Sequence, residues 1–446
     1  MSFTQPARVG VVGAGIAGLT AAHFLRRLGV DTIVFEADGR VGGRMTSERA
    51  TGHVIDRAAQ FLSSEYSTIL GLVRDVGLAN QVRPTSRLSA IVQGGVPRRL
   101  RVDRVVDALF SGLLGTRAWL MLGRVALREA HRIRNLSLSD FSAWDVFDDC
   151  TASDWLQREK CGHALERIFE PMLQGFYFQR PEDTSRALAM ALMAFGMRRS
   201  QTLTLEGGLG QLPEALAARL DVRLNETVEG VKQSNGKVAI QTASQTVIVD
   251  RAIVATPATV ARQLLADPQD EAGRDLLATQ YTSSINVSVF TDPAFALPTA
   301  LREAYGLLIP RSERHGVAAI GIENNKRGVS STSGQLFSVM FCHDGATHLM
   351  SKPDAVVVQE AIAQADRYLP GMAGRVIGSW VFRWPAAEPC SMVGRATALR
   401  RYRTQCAISN SLILLAGDYM SMPFTEGAAE SGLWAANSTA GKLFSK

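Results

Sequence analysis

The chain has 446 residues, 46% of them hydrophobic and 20% charged, a composition that argues against disorder, collagen-like repeats and a coiled coil. Its net charge of +6 sits in one stretch, where nine arginines face three acids between Arg98 and Arg134. A general nucleic-acid-coating role is therefore not expected, while one local basic surface stays open.

Length implies about two or three domains. Five cysteines with no C-x-x-C pair signal neither a disulfide framework nor a thiolate zinc site, and a reduced, cytoplasmic setting fits best. The apolar run Val9 to Leu25 contains four glycines and reads as a strand and a helix, not as a secretion signal. No other segment offers the roughly 18 uninterrupted apolar residues of a membrane span.

The first element is a strand from Arg8 to Val12, followed by Gly13-Ala14-Gly15-Ile16-Ala17-Gly18 and a helical stretch from Leu19 to Leu28. Gly13 permits a tight turn, Gly15 lets the backbone approach a pyrophosphate, and Gly18 lets helix and strand pack closely, with phosphates facing the helix N-terminus. A second strand, Asp31 to Phe35, ends at Glu36, whose carboxylate suits both ribose hydroxyls of a dinucleotide. NAD and FAD both satisfy this much.

Ala37 and the block Gly39-Arg40-Val41-Gly42-Gly43-Arg44 follow, with a glycine pair and two arginines placed for a second diphosphate contact and a flavin-side cation. At these residues the sequence resembles the flavin amine oxidase superfamily, which includes monoamine and polyamine oxidases, protoporphyrinogen oxidase and carotenoid desaturases. The resemblance implies FAD and a next segment along the flavin that contains Ala59, Gln60 and Phe61. Some members tether the flavin through a C-terminal cysteine, but the spacing of Cys390 from Trp384 and Gly394 does not match theirs, so the FAD is expected to be non-covalent. The family usually has glycine where this chain has Ala58.

From Pro84 to Ser200 strand signals fade and helical periodicity takes over, at Thr116 to Arg134 and Ala187 to Arg199. Arg117, Arg124, Arg128 and Arg132 fall close to one helical face. That face reads as solvated, or as a contact for a peripheral membrane surface, a carrier protein or a carboxylate-bearing substrate. Glu170 to Tyr177 looks like the substrate-domain motif of protoporphyrinogen oxidase-like members, which brings Tyr177 forward. Strand patterns return at Val222 to Val231, Lys237 to Ile240 and Thr246 to Ala255, and Pro257 opens a helix. The resemblance gives Val228 the adenine contact.

The strand Tyr281 to Phe290 carries Asn286 where many amine-oxidising members place a lysine at the flavin, and no lysine lies between Lys237 and Lys326. Trp384 belongs to a segment that often supplies a flavin-side aromatic. Leu412 to Leu415 reads as a fully covered strand closed by Gly417-Asp418. The motif Phe424-Thr425-Glu426-Gly427-Ala428 is similar to the family's closing segment, in which Phe424 matches an aromatic-cage position and the acid Asp418 binds the cofactor.

The expected fold class is α/β: a Rossmann-like FAD-binding domain from 1–83, 205–278 and 388–446, with an inserted α+β substrate-binding domain from 84–204 and 279–387. The histidines show no metal spacing and no G-x-S-x-G elbow occurs, so neither a metal nor hydrolase chemistry is expected. A flavin performs the redox step itself. The resemblance therefore implies hydride transfer from a C–N bond of a mostly apolar small molecule to flavin N5, with oxygen as acceptor giving hydrogen peroxide. Two alternatives remain, C–C dehydrogenation of a porphyrinogen-like or polyene substrate and a non-catalytic flavoprotein module.

Overall fold

The computed structural model describes residues 7–50, 52–101, 111–265, 270–327 and 334–444. Strand β1 (Arg8–Val12) leads through the glycine turn into α1 (Ile16–Arg27) and β2 (Asp31–Phe35). A short helix, α2 (Ser67–Asp75), precedes the hairpin β3 (Leu88–Gln93) and β4 (Val96–Arg101). Helix α3 (Thr116–Ile133) opens a helical stretch, and β5 (Asp221–Arg223) and β6 (Arg251–Val254) follow it. Then come β7 (Tyr281–Thr291), β8 (Ala304–Leu308), β9 (Val317–Ile322), α4 (Glu323–Arg327), β10 (Leu336–Phe341) and β11 (Val376–Pro389). The chain closes with β12 (Ile413–Leu415) and α5 (Thr425–Phe444).

The first sheet is parallel throughout, in the order β5-β2-β1-β6-β12. Both of its faces are covered, which is why β1 is a near-continuous apolar run with Val9 and Val11 fully buried. On one face lies an antiparallel meander of Val228–Ser234, Lys237–Thr242 and Thr246–Val249. A Cβ on Gly10 would lie 2.2 Å from Ile240 Cδ1, so β1 needs glycine there to accept the meander. Helix α1 is buried over most of its surface and packs against α5. That helix pair is close enough that a Cβ on Gly432 would lie 2.1 Å from the Ala17 carbonyl oxygen.

The second sheet has seven strands in the order β11-β7-β10-β9-β8-β3-β4. All of its pairs are antiparallel except β8 with β3. The helix Asp354–Asp366 covers it, and Val287, Phe337, Val339 and Val357 belong to the core between them. The helical stretch from Phe141 to Met197 instead shares the apolar core of the first sheet, through Phe141, Trp144, Trp155 and Leu188.

Two strands lie inside the segment read from sequence as helical. β3 has a buried centre, Ala90, Ile91 and Val92, but β4 is an edge strand in which Pro97 is half-buried and Arg98 and Arg99 are exposed. Charges and proline are what protects an edge from further pairing, and they hide its strand character. Within the arginine-rich stretch, 102–110 lie outside the described residues. In α3, Arg128 pairs with Glu129 and Glu159 and Arg132 pairs with Glu129, while Leu120 and Leu127 are exposed. Among the described residues no helix is long and apolar enough to cross a membrane.

Candidate active site

The glycine turn is a backbone cradle. Gly13 has φ +102° and its N–H donates to the Phe35 carbonyl at 2.8 Å, a turn that only glycine makes without strain. A Cβ on Gly15 would meet nothing within 4 Å, whereas one on Gly18 would lie 2.0 Å from the Gly13 carbonyl oxygen. The first position is therefore open to a ligand and the last is a packing contact. The Glu36 carboxylate accepts the Ala14 N–H at 2.7 Å and the Asp38 N–H at 3.0 Å, which fixes it at the mouth of this turn. Gly42, with φ +101°, donates its N–H to the Ala14 carbonyl at 2.8 Å and draws the second glycine block onto the first.

The C-terminal end meets the same place. Arg44 Nη1 lies 2.6 Å from Asp418 Oδ2 and donates to the Ala387 carbonyl at 2.8 Å. Burial alone pulls Arg44 down, but Asp418, Tyr281 and Glu388 outweigh it and hold the guanidinium above its ordinary pKa. Arg395 donates to the carbonyls of Asp418 and Ser421 at 2.7 and 2.6 Å. Burial pulls its pKa down to about 10. The N-terminus of α5 and that of α1 face one cavity of about 480 Å³, where two helix dipoles favour negative charge.

Fifteen of the residues expected at a cofactor line this cavity: Gly13, Gly15, Ala17, Glu36, Ala37, Arg40, Gly42, Gly43, Arg44, Ala59, Val228, Gly417, Asp418, Thr425 and Ala428. Asn286, Trp384 and Phe424 wall it as well. Asn286 Nδ2 donates to the Asp56 and Arg57 carbonyls, each at 3.3 Å, and Trp384 Nε1 donates to the Arg57 carbonyl at 3.0 Å. The two side chains thus hold the same turn of backbone. Asn286 Oδ1 is buried without a hydrogen-bond partner among the described residues.

The other expected residues stand behind the wall. Tyr177 does not line the cavity but packs on Phe424, ring centroids 6.2 Å apart, and Tyr66 stacks on Phe424 at 5.3 Å. Phe61 packs edge-on against Phe176 and Tyr305. Glu426 is fully buried, and its carboxylate accepts the N–H groups of Thr68 and Ile69 and the Ser139 hydroxyl, at 2.7 to 2.8 Å. It caps α2, so its side chain is a structural anion and not a cavity contact. Gly427 is a packing position, since a Cβ there would lie 2.1 Å from the Met422 carbonyl oxygen.

Gln60 leads to a residue that the sequence reading passed over. Its Oε1 accepts from Lys326 Nζ at 3.2 Å, and the same ammonium lies 2.7 Å from Asp56 Oδ2 and 3.1 Å from Glu323 Oε2. Lys326 is fully buried; its scarcity value as one of seven lysines was the only sequence signal. Glu388 is the second omission. It lines the cavity, and burial first, then Asp418, push its carboxyl well above the usual range against the opposing pull of Arg44 and Arg395. An acid between Ala387 and Pro389, in an apolar tail after Trp384, was its signal.

The family model for flavin containing amine oxidoreductases matches residues 16–439. The chain belongs to this family. Members of the flavin-containing family are oxidoreductases, and two curated relatives show its breadth. Protoporphyrinogen oxidase 2 of Arabidopsis thaliana is 30% identical over 182 residues, 40% of this chain and 34% of the relative. An L-amino acid dehydrogenase of Synechocystis is 25% identical over 288 residues, 58% of this chain and 57% of the relative. The chain thus spans about a third to just over half the length of these relatives. The cyclohexylamine oxidase structure from Brevibacterium oxydans superposes with a TM-score of 0.74 at 16% identity, covering 98% of this chain and all of the other, and establishes the shared α/β fold.

Proposed function

We propose that this flavin-family oxidoreductase binds FAD non-covalently and oxidises a C–N bond of a mostly apolar small molecule, with oxygen as the electron acceptor. The observation that carries the cofactor assignment is the convergence at one cavity of the Gly13–Gly15 cradle, the Glu36 carboxylate and the Arg44–Asp418 pair, drawn from opposite ends of the chain. The residues fit the dinucleotide by chemistry: backbone amides and two helix N-termini for the diphosphate, Glu36 for a ribose, Val228 for adenine, and a wall of Trp384 and Phe424 for a flat ring system. When bound, a flavin supplies a two-electron acceptor.

The chain's own residues supply position and environment. Asn286 and Trp384 fix the Arg57 carbonyl beside the cavity, and the apolar ring group of Phe424, Tyr66 and Tyr177 excludes water from that end. Over the whole reaction the substrate loses two electrons and two protons, which leave on oxygen as hydrogen peroxide. Two polar groups there, the Asn286 amide and the Glu388 carboxyl, favour a nitrogen-bearing substrate over a hydrocarbon, since each gains a hydrogen-bond partner only from the former. We assign the cofactor to 1–83, 205–278 and 388–446, the substrate to 84–204 and 279–387, and the protein to the cytoplasm.

A second reading, C–C dehydrogenation, is favoured by the lack of a lysine on β7. The test is anaerobic mixing of the yellow protein with amines, amino acids, porphyrinogens and polyenes, following flavin absorbance near 450 nm. Bleaching by nitrogen compounds supports the C–N assignment; bleaching only by a porphyrinogen or polyene replaces it with the second reading. A protein that takes up no FAD refutes both.

A further inference from the structure

Five acids line the cavity: Glu36, Asp38, Glu226, Glu388 and Asp418. Glu36 is held by two loop amides, Glu226 accepts from Gln245 at 2.8 Å, Asp418 is paired with Arg44, and Asp38 is exposed at the far end beside Glu36. Glu388 differs from all four. Its Oε2 is closed off from solvent and has no hydrogen-bond partner among the described residues.

Its position is set by the sheet and not by a loop. Glu388 pairs with Thr282 across β7 and β11, and the Thr282 hydroxyl donates to the Glu388 carbonyl at 3.2 Å and to the Tyr177 carbonyl at 3.3 Å. The backbone is thereby pinned next to the aromatic group, and the Glu388 charge is felt by both Tyr66 and Tyr177. An unpartnered buried polar group costs about 1–3 kcal/mol, so packing alone favours an apolar residue here. A carboxyl kept in a cavity wall at that cost is arranged for a ligand that donates a hydrogen bond to it, as the N–H of an amine does.

We propose that Glu388 is the specificity-determining residue of the cavity, its carboxyl taking an N–H of a basic nitrogen on the substrate and so selecting amines over alcohols and hydrocarbons of the same shape. This rests on the amine-oxidising reading above and narrows it. No proton transfer or bond change is assigned to Glu388; it binds and orients.

The experiment uses the FAD-loaded protein and its E388Q and E388L variants. Two matched pairs serve as probes, benzylamine with benzyl alcohol and cyclohexylamine with cyclohexanol. The amines are read by anaerobic flavin bleaching and the alcohols by their competition with them. In E388L the KM for each amine rises roughly 10- to 100-fold, the loss expected for a hydrogen bond to a charged group. The limiting bleaching rate, the alcohol affinity and the flavin reduction potential stay within about twofold or 10 mV. E388Q, which keeps the shape and an acceptor oxygen, falls between and guards against a folding defect. Equal loss of amine and alcohol binding, or a shift in flavin potential with unchanged amine preference, overturns the assignment of Glu388 alone. A wild-type protein that bleaches with no amine overturns the assignment together with the reading beneath it.

Discussion

Replacing Lys326 with methionine removes a fully buried ammonium that touches Asp56 Oδ2 at 2.7 Å, Glu323 Oε2 at 3.1 Å and Gln60 Oε1 at 3.2 Å. Methionine fills nearly the same volume, so the packing loss is small and the electrostatic loss dominates. Two carboxylates stay behind in the interior without this cation, and breaking a buried pair by removing one partner costs about 3–5 kcal/mol. Asp56 keeps part of its support, because the Ser47 hydroxyl at 2.6 Å and the Leu209 N–H at 2.9 Å still donate to Oδ1, which places the expectation near the lower bound. Unfolding entropy of about 2.1 cal/mol/K per residue gives roughly 0.9 kcal/mol/K for the whole chain. The melting temperature of K326M, followed by calorimetry with saturating FAD, then falls by about 3 °C, and by more where the second sheet melts as a separate unit. A triple variant D56N/E323Q/K326M recovers most of the loss, because it replaces the two buried carboxylates with neutral amides. A K326M melting point within about 1 °C of wild type, or a triple variant no better than K326M, would refute this account of the buried cluster.

R44M leaves Asp418 buried without its 2.6 Å partner and removes the donor to the Ala387 carbonyl; FAD affinity, measured by fluorescence on titrating the apoprotein, drops at least about 100-fold. E426A frees the two N–H groups of Thr68 and Ile69 at the start of α2, for a loss of about 2–4 kcal/mol in urea unfolding, with flavin absorbance retained because the side chain does not line the cavity. Glu388 gives a pH dependence of defined sign. Its folded-state pKa is raised above 4.5, by burial first and Asp418 second, so its contribution to stability is present below about 4.5 and is lost as pH rises through the folded value. E388Q does not titrate, and its melting temperature therefore gains on wild type as pH increases from 4.5 to 8; a difference that is flat or shrinks over that range contradicts the buried-acid assignment.

The sequence by itself determined what is local. The turn at Gly13, the open position at Gly15 and the acid at Glu36 are fixed by backbone requirements a few residues long, because only glycine tolerates φ +102° or leaves room for a ligand, and strand, turn, helix and strand follow one another without intervening chain. The apolar run at β1 and the glycine turn after it marked the first strand and helix for the same reason, since a strand covered on both faces is apolar almost throughout. What the tertiary structure decided depends on residues far apart in the chain. Gly427 and Glu426 sit inside a motif that points to the cofactor, but one packs on Met422 and the other reaches back 358 residues to the Thr68 amide. Of the partners of Lys326 only Glu323 is local, three residues away, and an i,i+3 acid–lysine pair reads as an ordinary surface pair; Asp56 and Gln60, which make it a buried cluster, lie 270 and 266 residues away. Glu388 acquires its environment from the β7–β11 register and from Arg44, Arg395 and Asp418, which come from separate parts of the chain. A charge in the interior takes its energy from whatever lies within a few ångströms of it, and that neighbourhood is a property of the folded chain.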